Sequence, residues 1–113
     1  MIDSPVFART YDLVRWLIPL TAKFPRHQRF VMASAMQQAA LNLQERLIEA
    51  VRLPDPAQRL RAADVELDKL RLYLRLSYDL GYISLRQQRH GAKIVAEIGR
   101  LLGGWQKKAG TAS

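Results

Sequence analysis

The sequence predicts an all-α fold, an up-down-up-down antiparallel four-helix bundle. Apolar residues recur three and four apart in four separate stretches, the spacing of a helical face. No stretch alternates with the period of two that a half-buried strand would show. Breakers at Pro19, at Pro54-Asp55-Pro56 and at Gly81 divide the chain into segments with short connections, which makes consecutive helices antiparallel neighbours.

The first helix is expected over 5–20. Ser4 followed by Pro5 is a favourable start, an N-cap and then a first-turn proline. Phe7, Tyr11, Val14 and Ile18 share one face, and Pro19 should end or kink the helix. The second is expected over 25–53, opened by Pro25. Its stripe is Met32, Met36, Ala39, Leu43, Leu47 and Ala50 or Val51. Alanines at 33, 35, 39 and 40 keep its first half slim enough for close helix approach.

The third helix, expected over 56–80, carries Leu60, Ala63, Leu67, Leu70 and Leu74 on one face. Leu72, Leu76 and Leu80 lie on a second flank, more apolar surface than one seam needs. Gly81 is a natural stop. Ser84 with Gln87 fits a capping box that opens the fourth helix, expected over 84–106, with Ile94, Ile98, Leu101 and Trp105 as its stripe. Residues 109–113 are expected to fray.

A chain of 113 residues with 49% apolar content forms one domain with a real core. Its charge is lopsided: 18 Lys and Arg against 10 Asp and Glu give a formal net charge of +8. Thirteen of the 18 are Arg, the side chain that forks onto phosphate and stacks on bases. With no cysteine, disulfides and thiolate metal sites are excluded, and a reducing compartment is compatible. The N-terminus has charged residues where a signal peptide needs an apolar run, and no stretch approaches the roughly 18 to 20 apolar residues of a membrane span. A cytoplasmic protein without membrane contact is the expectation.

The topology sorts the charges. In this bundle the first and third connections lie at the same end. The first carries Lys23, Arg26, His27 and Arg29; the third is flanked by Arg71, Arg75, Arg86, Arg89, His90 and Lys93. Eight permanent cations therefore gather near one end, with Asp79 as the acid clearly opposing them. Such a field favours a partner of fixed negative charge, above all a nucleic-acid backbone. Arg71 and Arg75, one turn apart, could clamp a phosphate or pair with Asp68 and Asp79. Arg86, Arg89 and Lys93 begin a helix, where the macrodipole disfavours cations. The opposite end mixes Glu45, Glu49, Asp55, Asp64 and Glu66 with Arg46, Arg52, Arg59 and Arg61, as an ordinary solvated surface does.

Catalytic chemistry has no carrier. His27 and His90 sit among cations, there is no Glu-x-x-His pair of a di-iron bundle, and no P-loop, nucleophile elbow or dinucleotide fingerprint occurs. Neither an enzyme nor a cofactor is expected. Sequence-specific groove reading is equally unsupported, since no helix-turn-helix, zinc finger or RNP motif is present.

KFPRHQRF (23–30), LGYISLRQ (80–87) and IGRLLGGWQKK (98–108) resemble bacterial four-helix-bundle proteins with two branches. One is encoded in intervening sequences of large-subunit ribosomal RNA genes. The other is the accessory variability determinant (Avd) family of diversity-generating retroelements. The resemblance covers roughly residues 5 to 108. The ribosomal branch typically shows an Asn-Ile-Ala-Glu-Gly-like stretch in its second helix; here AALNLQERLIEAVRL has Asn42 and Glu45 without that glycine. The Arg-rich LRLYLRLSYDLGYISLRQQRH and the LIEA segment favour Avd.

That resemblance implies a homopentameric, ring-like assembly. It also implies binding to the retroelement's reverse transcriptase and to RNA or DNA in support of mutagenic retrohoming, with the polymerase supplying the chemistry. Arg71 and Arg75 fall in the matching Arg-rich stretch. Lys23, Arg26, Arg29, Arg86, Arg89 and Lys93 are nominated by the charge distribution and bundle geometry alone. The alternative is a structural oligomer of the ribosomal-intervening type, with no polymerase partner and with its cations in intersubunit salt bridges.

Overall fold

The computed structural model describes residues 4–112. They form α1 (Pro5–Ala22), α2 (Ser34–Arg52), α3 (Pro56–Asp79) and α4 (Leu85–Ala112). A 3-10 turn, Arg26–Gln28, and a π-helical turn, Arg29–Ala33, lead into α2. There is no strand among the described residues.

Four sets of cross-helix contacts fix the directions. Phe7 meets Trp105 at 6.3 Å between ring centroids while Trp16 meets His90 at 5.1 Å, so α1 and α4 run oppositely. On α2 and α3, Asn42 bonds Glu66 and Met36 accepts from Ser77, again with numbers rising on one helix as they fall on the other. Between α3 and α4, Leu74 lies beside Gly91 and Leu67 beside Gly99. α1 and α2 join through Gln37, whose Nε2 donates to Thr21 Oγ1 at 2.9 Å. Each helix packs on the next and α1 closes on α4, giving a bundle of 46 × 24 × 22 Å.

The core stripes of α2 and α3 fall where their periodicity puts them. Met32, Met36, Ala39, Leu43, Leu47 and Ala50 are buried, with Val51 partly so. Leu60, Ala63, Leu67, Leu70 and Leu74 are buried as well. Leu72, Leu76 and Leu80 stay exposed as a separate apolar flank.

α1 departs from its expected face. Val6, Phe7, Thr10, Leu13, Leu17 and Thr21 are buried, whereas Tyr11 is 58% exposed and Ile18 is exposed too. The difference comes from two threonines that behave as core residues. Thr10 Oγ1 donates to the Phe7 carbonyl and Thr21 Oγ1 to the Leu17 carbonyl, so neither hydroxyl is buried without a partner. Pro19 does not end α1. It sits on the exposed side, and the helix continues to Ala22, held by the buried Thr21.

Helix starts and stops follow local chemistry. Ser4 has an extended backbone and its carbonyl accepts from Phe7 and Ala8, but its side chain makes no cap bond. Asp55 caps α3 by accepting from the Gln58 N–H at 3.3 Å, from an αL backbone with φ of 62°. The capping box at α4 is reciprocal: Ser84 N–H donates to Gln87 Oε1 at 2.8 Å, and Gln87 N–H to Ser84 Oγ at 3.1 Å.

α4 extends through Ala112, past the end near residue 106 that the sequence suggests. Gly103 and Gly104 each cost a helix about 1 kcal/mol relative to Ala. Trp105 on Phe7 and Ala109 against the core keep that stretch helical nonetheless. Val95 and Leu102 join Ile98 as its fully buried residues, with Ile94, Leu101 and Trp105 half-buried. Of the expected frayed tail, Ser113 lies outside the described residues.

Glu66 also differs from the solvated surface expected of it. It is only 6% exposed. Its Oε1 accepts from Asn42 Nδ2 and Lys69 Nζ, both at 3.1 Å, while Oε2 has no protein partner. The chain from Gln38 through Asn42 to Glu66 gives the α2–α3 seam a polar register mark within an otherwise apolar contact.

Candidate nucleic-acid interface

The basic end is built by two turns held together through Phe24 and Tyr82. Their ring centroids are 5.4 Å apart, with Phe24 buried and Tyr82 half-buried. In the first turn, the Lys23 N–H donates back to the Leu20 carbonyl at 3.2 Å and the Phe24 N–H to the Thr21 carbonyl at 3.1 Å, ending α1. Arg29 Nε donates to the Phe24 carbonyl at 3.4 Å, which ties the start of the π turn to this aromatic pin. In the second turn, Gly81 has φ of +80°, a conformation glycine enters without penalty. The Tyr82 N–H then reaches the Ser77 carbonyl at 2.8 Å.

The capping box sets the direction in which α4 leaves this turn. Arg86, Arg89 and Lys93 follow at spacings of three and four, so they share one exposed helical face. His90 rests on Trp16 of α1, placing the start of α4 beside the second half of α1. Lys23, Arg26 and Arg29 are exposed on the adjoining turn. Among the described residues, none of Lys23, Arg26, Arg29, Arg86, Arg89 and Lys93 has an acid within ion-pairing distance.

Arg71 and Arg75 are placed differently. Arg75 Nε is 3.9 Å from Asp79 Oδ2, with both side chains largely exposed. Arg71 Nη1 is 2.8 Å from Asp68 Oδ1, again at the surface. Arg71 lies eight residues before the end of α3, about 12 Å down the axis at ~1.5 Å per residue. It therefore sits along the side of the bundle and not on its rim. Both arginines thus make the acid pairs, with Asp68 and Asp79, that the sequence offers as the alternative to a phosphate clamp. Exposed pairs of this kind are worth roughly 0–1 kcal/mol, so a phosphate could displace either acid at little cost.

Two residues at this end escape sequence reasoning. Arg15 precedes Trp16, is exposed and has no acid partner among the described residues. The antiparallel register of α1 against α4 brings it near the cluster, and that register needs the Trp16–His90 contact to be known. Phe30 is 90% exposed within the π turn, between Arg29 and Val31.

The opposite end offers an apolar groove of about 650 Å³ between the start of α1 and the end of α4. Its walls include Val6, Val51, Leu101 and Trp105, with Arg100 and Lys108 as charged groups and no acid or histidine. Among the described residues no group of three His, Cys, Asp or Glu could hold a metal ion. No helix is long and apolar enough to cross a membrane among those residues.

The family described as bAvd-like matches residues 6–109 of this chain, a span that reaches into all four helices. No curated protein matches the chain.

Proposed function

Because this chain belongs to the bAvd-like family, we propose that it is a non-catalytic accessory protein of a diversity-generating retroelement. In this reading it acts in the cytoplasm, binding the element's reverse transcriptase together with template RNA or its cDNA during mutagenic retrohoming. The polymerase makes and breaks the bonds; the bundle holds enzyme and nucleic acid in one complex.

The observation that carries the nucleic-acid half of this reading is the set of six exposed cations without an acid partner at one end: Lys23, Arg26, Arg29, Arg86, Arg89 and Lys93. A formal charge of +8 adds long-range attraction for a polyanion. Counterions released as these cations neutralise phosphates would supply most of the affinity without base readout. Arg71 and Arg75 extend the surface down the side of α3.

Assembly into a homo-oligomer, a pentamer by resemblance, belongs to the same proposal. Val65, Leu72, Leu76 and Leu80 form an exposed apolar strip on α3 at spacings of seven, four and four. A second copy covering that strip would explain why the third helix carries more leucine than its own core needs.

The test combines two measurements on the full chain. Co-purification with the reverse transcriptase of the proposed retroelement should recover a stable complex. A gel-shift titration with the template RNA should show affinity that falls steeply with salt. An Arg86→Glu/Arg89→Glu/Lys93→Glu variant that folds normally yet keeps full RNA affinity at low salt would sink the nucleic-acid half. Failure of the polymerase to co-purify would sink the other half.

A further inference from the structure

We infer that the basic end binds single-stranded nucleic acid in preference to duplex, by stacking an unpaired base on the exposed ring of Phe30. The inference rests on the nucleic-acid reading above and adds to it the form of the polymer and the side chain that selects it.

Phe30 is the most exposed of the large apolar residues among those described, at 90%. The cost of leaving a phenyl ring in water is incurred here, while the neighbouring Met32 and Ala33 are buried. The geometry explains how the ring is held out. The two residues following Val31, Met32 and Ala33, turn into the core, while Phe30 and Val31 face away from it within the π-helical turn Arg29–Ala33. Such turns are rare and are often found where a protein presents residues for use. Arg29, anchored by its Nε bond to the Phe24 carbonyl, fixes the root of this turn against the Phe24–Tyr82 pin. The ring is thus displayed from a braced turn.

The surroundings decide what covers it. Arg26 and Arg29 lie on either side of His27 and Gln28 on the same turn, exposed and without an acid partner, and no acid lies between Lys23 and Gln44 in the chain. An apolar ring among uncompensated cations suits a partner with a flat π-face joined to a phosphate. That is an unpaired nucleotide. In a duplex each base face is already stacked on its neighbours and only phosphates remain, so the ring would gain nothing. Aromatic platforms beside a cationic track are the general solution for single strands, and each stacked base contributes roughly a fivefold to hundredfold gain in affinity. Val31, exposed beside the ring, would widen the platform.

The experiment measures binding of the full chain to a single-stranded RNA oligonucleotide and to the same sequence as a duplex, across a salt titration. Phe30→Ala should weaken single-strand binding about tenfold without changing the salt slope, and leave duplex binding unaltered. Phe30→Trp should restore the affinity. Arg26→Gln with Arg29→Gln should instead lower the slope for both forms. Irradiation with a photoreactive uridine in the single strand should crosslink the tryptic peptide 30–46. If Phe30→Ala binds single strands as tightly as the parent while the arginine variant is weakened, the stacking inference fails and the nucleic-acid reading stands. If no variant changes binding, both fail. If Phe30→Ala changes oligomer mass or polymerase capture and not RNA affinity, the ring is a protein contact and the inference is overturned.

Discussion

Arg71 lies across the backbone of Gly99: a Cβ added to Gly99 would stand 2.8 Å from Arg71 Nη2. The glycine lets a long side chain lie flat on α4 while its Nη1 reaches Asp68. Gly91, two turns earlier, looks equivalent in sequence and is not. A Cβ there would meet the Trp16 ring at 2.9 and 3.0 Å and Leu74 Cδ1 at 3.1 Å.

These two glycines should respond oppositely to alanine. At Gly99 the obstacle is the end of a flexible, exposed side chain that can swing away, and alanine gains up to about 1 kcal/mol of helix propensity. Gly99→Ala should therefore leave the melting temperature unchanged or raise it. At Gly91 the obstacle is a ring packed between helices, and overpacking of that kind costs about 1–3 kcal/mol, against at most about 1 kcal/mol regained from helix propensity. Gly91→Ala should lower the melting temperature by several degrees, as calorimetry would show. Equal effects at both sites would contradict the packing described.

The cap of α4 provides a second measurement. Ser84 and Gln87 each satisfy the other's backbone N–H. Ser84→Ala should cost about 0.5–2 kcal/mol in a denaturant titration. Gln87→Ala should cost less, since its partner N–H lies at an exposed turn. In the double variant the two single-site costs should sum to more than the combined effect, because removing one partner already breaks half of the box. Strict additivity would mean that the two bonds act independently.

Stability and binding should trade against each other at Arg86. It occupies the first turn of α4, where the helix dipole is unfavourable to a cation by about 0.3–1 kcal/mol at low salt. Arg86→Glu should raise the melting temperature slightly and weaken nucleic-acid binding at the same time. Neutralising Arg86, Arg89 and Lys93 together should reduce the slope of log affinity against log salt by roughly 2 to 3 on duplex DNA, about 0.9 for each phosphate that no longer meets a cation. Weaker binding with an unchanged slope would show that these side chains do not reach phosphates.

The parts of the fold that are legible in sequence are those where one residue type has one use. Leu60, Leu67, Leu70 and Leu74 mark the α3 core because leucine at those spacings has nowhere else to go. Ser84 with Gln87 is a local pattern whose partners are three residues apart. The buried face of α1 is harder to read because Thr10 and Thr21 solve their hydrogen bonding within their own helix and enter the core as if apolar. Glu66 looks like a surface acid because Lys69 is an ordinary i+3 partner, while its other partner, Asn42, comes from α2 and only the α2–α3 register reveals it. At the basic end, Arg86, Arg89 and Lys93 are legible from the helix start, as their exposure follows from the capping box. Arg71 is legible as a cation, but the way its side chain lies across α4 depends on Gly99, a residue with no charge to mark it. Phe30 is opaque because an exposed phenylalanine has the same letter as a buried one.

The apolar strip on α3 yields the last expectation. Leu72 is 61% exposed, and Val65, Leu76 and Leu80 continue the same face. Covering a face of this kind against another copy is favourable at about 25 cal/mol per Å² of apolar surface removed from water. A charge placed at its centre must instead be desolvated without a partner. If the proposed oligomer forms through this strip, Leu72→Glu should dissociate it toward the 12.9 kDa protomer, read by sedimentation equilibrium or light scattering. The substitution leaves the core intact, because Leu72 is not part of it, so far-ultraviolet circular dichroism should remain helical. Leu70→Glu, two residues away and fully buried, is the contrast: it should unfold the chain. A Leu72→Glu protein that keeps the parent's mass would show that this strip does not join subunits, leaving another exposed apolar surface to account for any oligomer.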